Sequence, residues 1–162
     1  MMKNILLLLL ATVLTTEAFL APQLPPPTTT RLYAEGKAAS LVSGEELEKM
    51  LTEWDTPLVV DAYATWCGPC LLMAPEFEQA AQALQGKVRF VKLDTDKDEV
   101  MAARLNIMGL PTLLFLDKYE SDEQDGAKAV LKGRIEGALQ KQNILDLCQH
   151  YFFDGPAPDF MG

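Results

Sequence analysis

Apolar residues along this chain fall into short continuous runs and helical stripes that alternate, and the alternation marks out the elements. Ser43-Gly44-Glu45-Glu46 reads as a capping box, with Ser43 accepting from a free helix N–H and Glu46 reaching back, so a helix is predicted from there through about Trp54. Asp55-Thr56-Pro57 ends it. Leu58 to Ala64 is mostly apolar and β-favouring, which predicts a strand buried on both faces. After a three-residue loop, a helix is predicted from Cys67 to about Leu84, with a kink at Pro75, whose ring lacks an N–H and crowds the preceding turn. Val88 to Asp94 predicts a second strand, Asp98 to Leu105 a short helix, and Thr112 to Leu116 a third strand. Lys118 to Gly126 is a polar, acidic loop, followed by a strand near Ala129 to Ile135 and a helix from Lys141 to Phe152. There is no internal repeat. Strands alternating with helices, then a late hairpin and a last helix, describe an α/β domain: a mixed central sheet flanked by helices on both faces.

The N-terminus has a different pattern. One cation, Lys3, precedes an apolar run from Ile5 to Leu10 that continues patchily to Leu14, too short to span a bilayer comfortably and fitting a signal-peptide core. Thr16 and Ala18 are the small residues of a cut after Ala18; the alternative is an anchor that stays attached. No acidic residue occurs between Phe19 and Ala34, and the hydroxyl-containing, acid-poor composition is that of a transit peptide. A signal peptide over 1–18 followed by a transit-like segment over 19–36 that opens with Phe19, with Ala18-Phe19-Leu20-Ala21-Pro22 across the junction as the matching motif, resembles the two-part plastid presequence of algae with secondary plastids. The resemblance implies the plastid stroma; secretion or the ER lumen is the alternative. The folded domain is then expected over 37–153, with a flexible, fraying tail over 154–162.

Composition narrows the function classes. The 162 residues fit one domain plus extras. The net charge of −9 argues against nucleic-acid binding, which needs a basic surface to displace counterions from phosphates. No membrane association is expected once the presequence is removed. Three cysteines are too few for a disulfide-stapled scaffold, and Cys67 and Cys70 lie close together while Cys148 stands alone.

Two residues between cysteines at a helix start suit thiol–disulfide exchange, which needs a thiolate attacker and a second thiol to resolve the mixed disulfide. Cys67 is placed at the helix N-terminus, where free N–H groups and the dipole favour S⁻. Cys70 comes nearly one turn later. Pro69 suits a first turn, where its missing donor is not needed. The competing reading is half a zinc site completed by Cys148 and His150, although Cys-Gln-His on a helix is not the usual ligand spacing. Cys148 itself reads as a core residue, with regulatory oxidation or intermolecular pairing as the alternative.

Ala64-Thr65-Trp66-Cys67-Gly68-Pro69-Cys70, preceded by Val60-Asp61, resembles the thioredoxin family, and Met108-Gly109-Leu110-Pro111-Thr112 resembles its cis-proline loop. The resemblance implies the thioredoxin fold and a protein-disulfide reductase with no cofactor. It makes Cys67 the nucleophile, Cys70 the resolving thiol, Asp61 the buried proton acceptor and Lys92 the charge that modulates it. It implies a cis Leu110–Pro111 bond and a substrate-facing ring of Trp66, Gly68, Pro69, Leu110, Pro111, Gly137 and Ala138. The residue-level alternatives are a solvent-facing Asp61, a surface Lys92 and a trans turn at Pro111. Implied partners are disulfide-containing target proteins and a thioredoxin reductase as electron donor, with the chain a monomer.

Departures from the family pattern are Tyr63, where many members have tryptophan, and Leu71, where lysine or arginine is common. With the long loop after Asp117 and Glu136-Gly137-Ala138-Leu139, the chain resembles the plastid y and z types. The second functional reading is therefore an interaction or assembly subunit of a plastid complex. A luminal oxidase or isomerase fits less well, because Gly-Pro between the cysteines is the family's reducing signature.

Overall fold

The computed structural model describes residues 38–53, 56–119 and 128–161. The expected presequence, Trp54 and the interior of the acidic loop lie outside them. The elements run β1 (Ala39–Val42), α1 (Gly44–Thr52), β2 (Leu58–Tyr63), α2 (Gly68–Ala83), β3 (Arg89–Asp94), α3 (Glu99–Arg104), β4 (Thr112–Tyr119), β5 (Lys128–Glu136) and α4 (Lys141–Phe152), closed by a 3-10 turn at Asp159–Met161.

The sheet order is β1-β3-β2-β4-β5. β1, β3 and β2 are parallel, while β4 and β5 run antiparallel as a hairpin. α2 and α4 cover one face, where Met73, Phe77, Ile144, Leu147 and Cys148 pack on Val59, Phe90, Leu113 and Phe115. α1 and α3 cover the other, with Leu47, Met50 and Met101 against Val60, Val91, Leu93 and Leu114. Asp61 apart, β2 is apolar without alternation because both its faces are covered. Phe77 and Phe90 meet edge to face, with ring centroids 5.1 Å apart.

The capping box forms as the sequence predicts: Glu46 N–H donates to Ser43 Oγ at 3.2 Å, and Ser43 N–H donates to Glu46 Oε2 at 2.8 Å. α1 ends at Thr52, short of the predicted Trp54. α2 continues through Pro75, whose missing N–H deprives the Leu71 carbonyl of its usual intrahelical donor.

β1 is an element the sequence pattern does not predict. Its four residues carry no clear alternation, and Leu41 is exposed. What makes it a strand is non-local: it pairs with β3 in parallel, and the Glu78 carboxylate of α2 accepts from the backbone N–H groups of Ala38 and Ala39. A neighbouring carboxylate of the same helix serves α4. Gln140 makes no side-chain cap there, and Glu76 Oε2 accepts from Lys141 N–H at 2.8 Å. Beyond α4, Gly155 N–H donates to the Gln149 carbonyl at 2.9 Å, and His150 Nδ1 lies 3.0 Å from the Gly155 carbonyl oxygen, so the start of the tail is tied back to the helix end.

The register of β4 and β5 shifts at Phe115/Leu116, where Lys132 is the extra residue between Gly133 and Leu131. Gly133 lies flat beneath the Tyr151 ring of α4; a Cβ there would fall 2.1 Å from the ring. Tyr151 in turn packs at a tilt against Phe115, with ring centroids 5.1 Å apart. Gly133→Ala is expected to destabilise the fold by about 1–3 kcal/mol, because neither a ring held by Phe115 nor a sheet backbone yields readily. Urea unfolding checks this; an unchanged midpoint would refute the contact.

Candidate functional site

β2 leads through Ala64, Thr65 and Trp66 directly into α2, so the site sits where the central strand hands over to the helix that covers it. Cys67 is the N-cap of α2, in extended backbone at φ −78°, and its Sγ accepts from Cys70 N–H at 3.2 Å. A first-turn helix N–H therefore points at this sulfur, an arrangement that stabilises a thiolate once the bond opens. Cys67 and Cys70 form a disulfide, with Cα atoms 5.3 Å apart. Gly68 and Pro69 complete the first turn. Ala64 and both cysteines form a small buried cluster against which Tyr63 and Leu110 pack.

Asp61 belongs to the sheet face covered by α2, two residues beyond Val59. It is 1% exposed, and neither carboxylate oxygen has a hydrogen-bond partner. Burial raises its pKa to about 7, and the Lys92 charge partly offsets that rise. Lys92 stands opposite Asp61 in the parallel pairing of β2 with β3, and its Nζ lies 5.0 Å from the centre of the Tyr63 ring.

The second wall is the loop between α3 and β4. Leu110–Pro111 is cis. Pro111 carbonyl accepts from Gly137 N–H at 2.9 Å, and Thr112 Oγ1 donates to the Gly109 carbonyl at 2.7 Å. Gly137 has φ +103°, a conformation that favours glycine. Arg134 of β5 donates to the Leu105 and Asn106 carbonyls at 2.6 and 2.8 Å, fixing the start of this loop at the end of α3.

Between the walls lies an open groove of about 430 Å³, lined among others by Trp66, Cys67, Ile107, Met108, Gly109 and Leu110. Cys67 reaches this groove and Cys70 does not. Of the ring inferred from sequence, Trp66, Gly68, Pro69 and Leu110 line the groove. Pro111 and Gly137 are joined to each other beside it, and Ala138 is exposed without lining it. Sequence reasoning missed Asp96 and Arg134. Asp96 Oδ2 accepts from the indole N–H of Trp66 at 2.8 Å and holds a ring that is otherwise 71% exposed. Neither residue belongs to a local motif; each acts on backbone or side chain some 30 positions away.

Cys148 lies fully buried in the α2/α4 layer, and burial pushes its thiol up to about 12. Among the described residues, no group of three or more His, Cys, Asp or Glu is arranged to hold a metal ion.

The family model described as Thioredoxin matches residues 38–144. The chain is 34% identical over 123 residues to the thioredoxin-like protein CITRX, chloroplastic, of Solanum lycopersicum, a match covering 75% of this chain and 66% of that protein. It is 37% identical over 115 residues to thioredoxin Y1, chloroplastic, of Arabidopsis thaliana, covering 69% and 67%. The crystal structure of a chloroplastic thioredoxin z, described as defining a type-specific target recognition, superposes with a TM-score of 0.57 at 38% identity, covering 70% of this chain and 93% of that one. The chain spans just under two thirds of the Solanum lycopersicum protein and 63% of its Arabidopsis thaliana counterpart. The five-stranded mixed sheet with helices on both faces is the fold of these proteins.

Proposed function

The chain belongs to the thioredoxin family, and from that premise we propose that it is a plastid protein-disulfide reductase working through Cys67 and Cys70. The observation that carries the reading is the inequality of the two cysteines: both are buried, but Cys67 caps the helix and lines the apolar groove, while Cys70 does neither.

In the reduced protein, the Cys67 thiolate attacks one sulfur of a target disulfide. A Cys67–target bond forms, the target bond breaks, and the first target sulfur leaves as a thiolate that takes up a proton. Asp61 then accepts the Cys70 proton, suited to that task by a pKa near neutrality. The Cys70 thiolate attacks Cys67 Sγ, forms the intramolecular disulfide and releases the second target sulfur. The target has gained two electrons, and the Cys67–Cys70 disulfide is the product left on this chain. A thioredoxin reductase restores the dithiol, and the chain acts as a monomer. Lys92 moderates the charge at Asp61. Trp66, Gly68, Pro69, Leu110, Pro111, Gly137 and Ala138 receive the extended segment that bears the target disulfide, with free backbone groups beside Pro111 available to pair with it.

The chloroplastic relatives support a plastid address, consistent with the acid-poor segment at 19–36. A full-length Cys70→Ser variant expressed in the source cell is expected to accumulate in the plastid fraction as mixed disulfides at Cys67, which non-reducing gels and mass spectrometry detect. Secretion of the chain would remove the plastid assignment, and absence of any trapped partner would remove the reductase. One observation favours a second reading, a docking subunit of a plastid assembly: Leu71 and Leu72 are 61% and 76% exposed on the first turns of α2, beside the disulfide.

A further inference from the structure

Asp61 and Lys92 are direct partners across β2 and β3, on the same face of the sheet. A lysine side chain has ample reach to close on a carboxylate so placed, and a buried carboxylate gains from such a partner. The pair is nonetheless open. Both oxygens of Asp61 lack a hydrogen-bond partner, while the Lys92 ammonium sits 5.0 Å from the centre of the Tyr63 ring. Tyr63 is two residues beyond Asp61 on the same strand, so its ring stands on the same face, one diagonal step from Lys92. A ring face at that distance attracts an ammonium through its quadrupole.

We propose that Tyr63 is a positioning residue for the proton acceptor: its ring draws the Lys92 ammonium toward the end of β2 and keeps it from closing on Asp61. The functional meaning rests on the reductase reading, in which Asp61 takes the Cys70 proton, but the positioning itself does not. A lysine closed on Asp61 would hold the carboxylate ionised and reduce its appetite for that proton. With the ammonium parked on the ring, Asp61 keeps a pKa near neutrality and moves a proton in either direction.

The other groups facing Asp61 leave this pair in control. Tyr63 shares its strand. On β3, beyond Lys92, is Asp94, whose carboxylate is engaged by Lys97 Nζ at 3.3 Å and by the Asp96 N–H. β4 presents Leu113 opposite Asp61. α2, which covers this face, carries Cys67 and Cys70, which hold no charge as a disulfide, and Lys92 is the charged group that acts on Asp61. With Asp94 engaged, an ammonium released from the ring has Asp61 as its free counter-charge.

The test is a carboxyl-carbon NMR titration of Asp61 in the oxidised protein. In Tyr63→Leu, which removes the ring, the midpoint is expected to fall by about one pH unit or more as Lys92 closes on the carboxylate. Tyr63→Phe and Tyr63→Trp keep a ring and should keep the midpoint. An unchanged or raised midpoint in Tyr63→Leu, or a Phe variant that behaves like Leu, overturns the proposal. Should Tyr63→Leu fail to fold, Lys92→Met decides: a held-off ammonium predicts a rise well under one pH unit, and a larger rise shows that Lys92 already acts directly on Asp61. The reductase reading is separately exposed, because full reductase activity in Asp61→Asn would remove the proton-acceptor role and leave the titration result standing.

Discussion

Replacing Cys67 by serine is expected to lower the rate of insulin disulfide reduction by at least about 10³-fold, to background. The helix N-terminus that stabilises a thiolate at this position does nothing comparable for an alcohol, which stays protonated at neutral pH. The groove, the Trp66–Asp96 contact and the loop at Pro111 are untouched by the change, so binding of a target segment should survive while chemistry stops. This is what makes the variant decisive between the two readings. If plastid function in the source cell fails together with insulin reduction, the protein works as an enzyme. If the serine variant restores the cell fully, the exposed Leu71 and Leu72 surface is the part that matters, and the dithiol is secondary.

The second large effect is at Asp61, where Asp61→Asn is expected to alter both stability and turnover. A carboxyl with an ordinary value of 3.8 and a folded value of about 7 binds more protons in the folded state between those limits. Stability therefore falls as pH rises through that window. The penalty is absent below about 3.8, builds toward 7 and is complete above it, at on the order of 4 kcal/mol. Asparagine does not ionise, so this component of the slope should vanish, and the variant should gain on the wild type in urea unfolding at pH 8 relative to pH 5. A pH-independent difference between the two proteins would show that Asp61 ionises normally. In reductase assays near pH 7 the same variant should slow by about 10²-fold, with mixed disulfide accumulating, if Asp61 is the proton acceptor of Cys70 as proposed.

The redox pair was legible because its chemistry is contiguous: five residues, Trp66 to Cys70, follow an unmistakably buried strand. The fold was legible wherever one element carried enough signal alone, as in the apolar run of β2 or the capping box of α1. β1 was not, because four residues of mixed burial become a strand only through β3 and the Glu78 carboxylate. The same reason hides Asp96 and Arg134. One is an ordinary acid in a polar turn and the other an ordinary cation on a hairpin, until the fold brings the first to Trp66 and the second to the carbonyls at the end of α3. Sequence proposed the pairing of Asp61 with Lys92 by resemblance, but nothing in it said that Tyr63 would claim the ammonium.

The position of β1 also sets where a leader of the proposed kind could be cut without harm to the domain. β1 is the edge of the sheet, begins at Ala39, and is clamped at its first residues by a carboxylate that belongs to the redox helix. A maturation cut upstream of Ala38 leaves that clamp whole. A cut only a few residues further on would strip the covering from β3 and open a row of backbone donors and acceptors to other chains, the situation in which sheet edges seed aggregation. The domain thus carries its own boundary marker: a cut anywhere before Ala38 spares the clamp, and one within β1 does not.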